Sequence, residues 1–243
     1  MKVSNMSRKF NLEKEPYEPG EKIFSRKEIV LKPGVTVLVG CNGSGKSSLI
    51  KQLCNQLKSE QIPYYSWDDR SQGGQALKSS AALEQDYYTV ATLMQSSEGE
   101  SIMLGMSHIS KHLGYYINNK YKDSSEYWIL LDSIDSGFSI DQINDLKQYL
   151  FDLIQRDHPE GMDIYIVVSA NEYEMVSGEQ CFNVQKGKYV TFESYEDYKK
   201  FILESRKLKQ KREENFYKYQ DEHPDMFRRG APLPKKIQEK FDN

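Results

Sequence analysis

The sequence has little that would tie the chain to a membrane, a metal or an oxidising compartment. No apolar run reaches the roughly 20 residues of a membrane-spanning helix. The polar start, MKVSNMSRKF, lacks the apolar segment of a signal peptide. Only three cysteines, Cys41, Cys54 and Cys181, occur in 243 residues. They cannot all pair with one another and show no metal-ligand spacing, so free thiols in a reducing cytosol are expected. The formal net charge of −3 is too small to draw the whole chain to nucleic acid or an anionic surface. There is no internal repeat and no low-complexity tract. With 38% hydrophobic residues, the chain can build a core without staples. It reads as a cytoplasmic protein of one large domain or two small ones, with no membrane partner.

The hydrophobic pattern alternates between two periods. KEIVLKPGVTVLVG reads as two strands broken at Pro33-Gly34, and KSSLIKQLCNQLKSE sets Leu49, Ile50, Leu53 and Leu57 at helical spacing. IPYYSWDD reads as a strand, and residues 75–95 as helical. Ile102, Met103, Met106, Ile109 and Leu113 fall on one helical side. YWILLD and DIYIVVSA are continuous apolar runs of the kind found in buried parallel strands. IDQINDLKQYLFDLI is an amphipathic helix, CFNVQKGKYVTFES a hairpin, and the chain from Tyr195 helical until about His223. Alternating strands and helices predict an α/β fold with a mainly parallel sheet.

Between the second strand and the first helix lies GCNGSGKS, Gly40 to Ser47, a full match to G-x-x-x-x-G-K-[ST] in the context that gives the pattern meaning. Glycines Gly40, Gly43 and Gly45 let backbone N–H groups turn inward around phosphate oxygens, with Asn42 and Ser44 completing the turn. The helix N-terminus adds a positive field. Lys46 is the expected partner of β- and γ-phosphates, Ser47 of Mg²⁺, and Ser48 of the adjoining phosphate. Cys41 is read as a small side chain facing away.

VGCNGSGKSSL resembles the ATP-binding-cassette (ABC) form of this loop, especially in SMC- and RecF-like ATPases. SSEGES, Ser96 to Ser101, is similar to the short signature S-x-G-[EQ] of those families. It precedes a long helix that leads to YWILLDS, in the family order. The resemblance covers residues 17 to about 190. It implies an ABC-type P-loop NTPase: an ATP-binding domain over 1–195, a small helical subdomain at about 75–118, and a basic helical C-terminal extension over 196–243. It implies that two subunits stack around Mg·ATP, so an ATP-dependent homodimer is expected. Ser97 and Gly99 would then reach the γ-phosphate in trans, with Glu100 in the first turn of the following helix. A helix N-cap formed by Ser97 and Glu100 is the local alternative. Gln72, with Gln75 as runner-up, falls where the family places a glutamine that meets Mg²⁺ and the attacking water. SQGGQ is therefore not taken as the signature. Tyr17 is the candidate for stacking on adenine, with Phe10 and Phe24 competing. The stretch from Lys46 to Ser96 is too short for a coiled-coil arm, so a bare ATPase head is expected.

One acid is missing. In the family, Walker B ends in Asp then Glu; here Asp132, the expected Mg²⁺ partner, is followed by Ser133. The family's switch His is replaced by the Ser169-Ala170-Asn171 stretch, and Asn171 can donate to γ-phosphate but cannot carry a proton. Asp135 is the carboxylate that could take over the water, or else a turn-forming acid. Ser136 and Gly137 would begin the loop that meets the partner subunit. Loss of a positioned base costs about 10²–10⁴ in rate, so slow ATP hydrolysis is expected, driving or gating an unidentified protein partner. A non-hydrolytic ATP sensor or clamp is the alternative. A P-loop phosphotransferase is a second, though it leaves SSEGES unexplained. Residues 199–243 hold 13 Lys/Arg against 8 Asp/Glu, read as a weak nucleic-acid contact or as an ordinary solvated helix and tail.

Overall fold

A computed structural model of the protein describes residues 7–68, 110, 113–135 and 138–227. The expected helical subdomain and the SSEGES segment lie almost entirely outside these residues. The described chain is a mixed α/β structure around a mainly parallel sheet, consistent with a P-loop NTPase fold. A hairpin of β1 (Arg8–Asn11) and β2 (Glu28–Leu31) forms its own antiparallel sheet. The central sheet takes β3 (Gly34–Val39), β4 (Tyr64–Asp68), β5 (Glu126–Asp132), β6 (Asp163–Ser169), β7 (Gln180–Asn183) and β8 (Lys188–Val190). Its order is β4-β5-β6-β3-β7-β8, parallel throughout except for the antiparallel β7–β8 pair.

The sheet is buried on both faces, which is why β5 and β6 read as unbroken apolar runs. The period-2 alternation sorts their side chains. Val35, Val37, Ile129, Leu131, Ile166 and Val168 point into one core layer. Leu38, Trp128, Leu130, Tyr165 and Val167 point into the other. The first layer is covered by α2 (Ile140–Leu146), a π-helical continuation (Lys147–Asp152) and α3 (Leu153–Arg156). The second is covered by α1 (Lys46–Ser59) and the β1–β2 hairpin. Leu49, Leu53 and Leu57 of α1 are fully buried there, each contributing about 1.5–3 kcal/mol of hydrophobic stabilisation. Trp128 stacks on Tyr165 with ring centroids 3.9 Å apart, and Phe10 meets Trp128 edge-on at 5.1 Å. A short α4 (Tyr173–Val176) follows β6.

The last helix, α5 (Tyr195–Glu222), agrees with the sequence reading in its limits. Ser194 caps it by accepting from Asp197 N at 3.3 Å, and Glu196 and Asp197 complement the helix dipole. Its start packs on the first core layer through Tyr198, Phe201 and Ile202. Its far end meets the loop before β2, where Tyr219 lies against Gly20. Gly20 has φ +85, and a side chain there would collide with the Tyr219 ring. Among the described residues, no helix is long and apolar enough to cross a membrane.

Candidate nucleotide-binding site

β3, β4, β5 and β6 all end on one edge of the sheet, and the loop after β3 turns there into α1. Ligands of open α/β sheets bind outside this carboxyl edge. Gly40, Gly43 and Gly45 have φ of 153, 75 and 104, so Gly43 and Gly45 are in the left-handed region that favours glycine. A Cβ at Gly45 would stand 2.5 Å from Ile23 Cγ2, and one at Gly40 would stand 2.5 Å from Ser44 Oγ. Helix α1 opens without a side-chain cap and without an acid in its first turn. Its N-terminal N–H groups therefore keep their positive field for an anion. Inside the loop, the hydroxyl of Ser44 is buried and has no hydrogen-bond partner among the described residues.

Lys46 is buried, and its Nζ donates to Gly40 O at 2.8 Å and to Asn171 Oδ1 at 3.0 Å. Burial holds its ammonium below the usual range, with Asp135 pulling the other way. Ser47 Oγ donates to Asp132 Oδ1 at 3.1 Å. Asp132 Oδ1 also accepts from Ser169 Oγ at 2.5 Å, and Ser169 Oγ in turn accepts from Ser133 N at 2.9 Å. Ser133 sits at φ 57, a left-handed turn that ends β5. These oxygens suit Mg²⁺, a hard cation held by one or two carboxylates together with a nucleotide's phosphates. No cluster of three His, Cys, Asp or Glu occurs among the described residues, so a cation here would depend on phosphate oxygens.

Asp135 is buried at 2% exposure, yet it carries a carboxylate. Its Oδ2 accepts from Asn171 N at 2.6 Å and Glu172 N at 2.7 Å, fixing the loop after β6. Oδ1 is buried without a partner among the described residues. Burial raises its pKa against the opposing effect of those N–H groups and of Lys46. Tyr17 is 46% exposed and its hydroxyl lies 2.9 Å from Ser48 Oγ. The competing rings of Phe10 and Phe24 are buried in the core. Asn42 is exposed at the loop tip and lines a cavity of about 450 Å³ with Asn171 and Tyr198. The edge thus gathers Tyr17, Gly40 to Ser48, Asp132, Asp135 and Asn171. Gln72, Gln75, Ser97, Gly99, Glu100, Ser136 and Gly137 lie outside the described residues.

Two sets of residues escaped the sequence reading. Asp68 ends β4 directly opposite Asp132, a neighbour visible only once the strand order is known. The other set is on α5, which crosses the loop. Tyr198 Oη donates to Asn171 O at 2.9 Å, and Ser205 Oγ accepts from Cys41 N at 3.0 Å. Arg212 Nη2 donates to Gly43 O at 2.8 Å. These residues and Tyr219 recur every seventh position, the one available signal, and line one side of the helix.

No curated protein matches the chain. A family model described as an AAA domain matches residues 20–240, most of its length. That family points to ATP binding and hydrolysis, and its members typically use ATP with Mg²⁺. With this match on a complete phosphate loop at the edge of a parallel sheet, the chain belongs to the AAA domain family, consistent with a P-loop ATPase of the ABC/SMC type.

Proposed function

We propose that the chain binds Mg·ATP on the Gly40–Ser48 loop, hydrolyses it slowly, and dimerises around it to drive or gate a protein partner. The observation that carries this reading is the meeting of Ser47 Oγ and Asp132 Oδ1, 3.1 Å apart. Residues from the ends of two strands' connections converge there beside a buried lysine. The loop's N–H groups and Lys46 bind and orient the β- and γ-phosphates, trading the Gly40 and Asn171 contacts of Lys46 for phosphate oxygens. Ser47 and Asp132 would hold Mg²⁺, which when bound neutralises phosphate charge. Tyr17 offers an exposed ring beside Ser48 for the base.

The weak step is removal of the proton from water. Ser133 supplies no carboxylate. Asp135 is the acceptor we assign: one oxygen anchors the Asn171 loop, the other has no partner among the described residues, and burial raises its pKa towards the working range of a base. Asn171 positions phosphate by donating from its amide and cannot relay a proton. Ser97 and Gly99 would complete the site from the second subunit. The absence of an acid at Ser133 favours a second reading, a clamp that holds its partner while ATP is bound and does not hydrolyse it. ATP turnover by the purified chain separates the two.

A further inference from the structure

Asn171 is held from three sides by three separate segments of the chain. Its Oδ1 accepts from Lys46 Nζ at 3.0 Å. Its backbone N–H donates to Asp135 Oδ2 at 2.6 Å, and its carbonyl accepts from Tyr198 Oη at 2.9 Å. Lys46 opens α1, Asp135 follows β5, and Tyr198 lies in the first turn of α5. Only Nδ2 has no hydrogen-bond partner among the described residues. Asn171 itself is exposed beside Gly40 and Asn42, on the cavity of about 450 Å³.

Lys46 and Asp135 have tasks of their own at the phosphates and the water. Tyr198 has none there, yet its hydroxyl is aimed with care. It is 4% exposed, with ring centroids 5.7 Å from Tyr173 and 5.4 Å from Phe192. Burial, with the Asp135 and Glu172 carboxylates nearby, raises its pKa, so the phenol keeps its proton and donates. Once Lys46 leaves Oδ1 for a phosphate, the side chain of Asn171 loses its one anchor. The backbone anchors then decide where the amide points: Asp135 on the nitrogen side, Tyr198 on the carbonyl side.

We infer that Tyr198 is a positioning residue of the ATP site, holding Asn171 so that the site distinguishes ATP from ADP. The inference rests on the γ-phosphate role proposed above for the Asn171 amide. By linkage, a triphosphate that favours the held loop equally favours the docked start of α5.

The test is calorimetry at fixed Mg²⁺ with ADP and with a slowly hydrolysed ATP analogue. Tyr198→Phe keeps the ring and removes only the hydroxyl. Its affinity for the analogue should fall by about three- to tenfold, the worth of one hydrogen bond. Its affinity for ADP should be unchanged, which also shows that the variant folds. Asn171→Ala should lose the same preference, and Tyr198→Phe should add nothing to it in the double variant. The analogue should slow amide hydrogen exchange at the start of α5 more than ADP does, and Tyr198→Phe should abolish the difference. Equal weakening of both ligands by Tyr198→Phe overturns the inference, because the hydroxyl would then only support the fold. So do losses that add in the double variant, exchange that ADP slows as much as the analogue, and a preference that survives Tyr198→Phe but not Asn171→Ala. A preference that survives Asn171→Ala removes the γ-phosphate role of Asn171, and the inference with it.

Discussion

The hydroxyl of Ser205 accepts the backbone N–H of Cys41 at 3.0 Å. It thereby joins the middle of the C-terminal helix to the first turn of the phosphate loop. Ser205 is itself buried and donates its hydroxyl hydrogen bond to Gln185 Oε1 at 2.7 Å. Ser205→Ala should leave a buried N–H unsatisfied, costing about 1–3 kcal/mol. Thermal unfolding should show the loss, and calorimetry should show weaker ATP binding as the loop loosens. Unchanged values in both would mean the helix merely lies beside the loop.

Lys46→Ala removes the buried ammonium that bridges Gly40 O and Asn171 Oδ1. ATP affinity should fall by about a hundredfold, the worth of charge-assisted phosphate contacts. Calorimetry at fixed Mg²⁺ measures it.

Asp135→Asn separates a proton acceptor from a structural acid. The amide oxygen can still accept the N–H groups of Asn171 and Glu172, while the buried charge is gone. The folded pKa of Asp135 is raised by burial, so the folded state binds the proton more tightly than the unfolded one. The stability this proton contributes is present below the ordinary carboxylate pKa and lost as pH rises through the folded value. At neutral pH the variant should therefore unfold at a higher temperature than the native chain, the gain shrinking on acidification. Its ATP turnover should nevertheless drop by about 10²–10⁴. A variant that is more stable and equally active would remove Asp135 from the chemistry.

Ser97→Arg addresses the partner subunit. With a slowly hydrolysed ATP analogue, light scattering should show the native chain's mass rising and the variant's unchanged. ATP affinity of the isolated variant should match the native chain. If Ser97→Arg abolishes ATP binding in the monomer, Ser97 acts within its own subunit.

The phosphate loop was legible because glycine spacing, an apolar strand before it and a helical period after it all agree. Strands β5 and β6 were legible for the opposite reason: burial on both faces erased their alternation and left unbroken apolar runs. The break at Pro33-Gly34 marked the boundary between β2 and β3. The partner of β2 was not legible: it pairs with β1 in a separate sheet, and β1 is too short and too charged (Arg8, Lys9) to announce itself. The docking of α5 on the loops was hidden because, beside the apolar contacts of Tyr198, Phe201 and Ile202 near its start, it works by polar contacts. Tyr198, Ser205 and Arg212 reach backbone groups of the loops, so no apolar stripe marks them. The pairing of Asp68 with Asp132 needs the strand order, which no local pattern encodes.

Steady-state ATP turnover by the purified chain, beside Lys46→Ala and Ser133→Glu, tests the central claim most directly. The native chain should turn over slowly, above the Lys46→Ala background. Ser133→Glu should raise the rate by restoring a carboxylate next to Asp132, at a left-handed position (φ 57) that already carries a side chain. Turnover indistinguishable from Lys46→Ala in both the native and Ser133→Glu chains would contradict a slow ATPase and leave the ATP clamp.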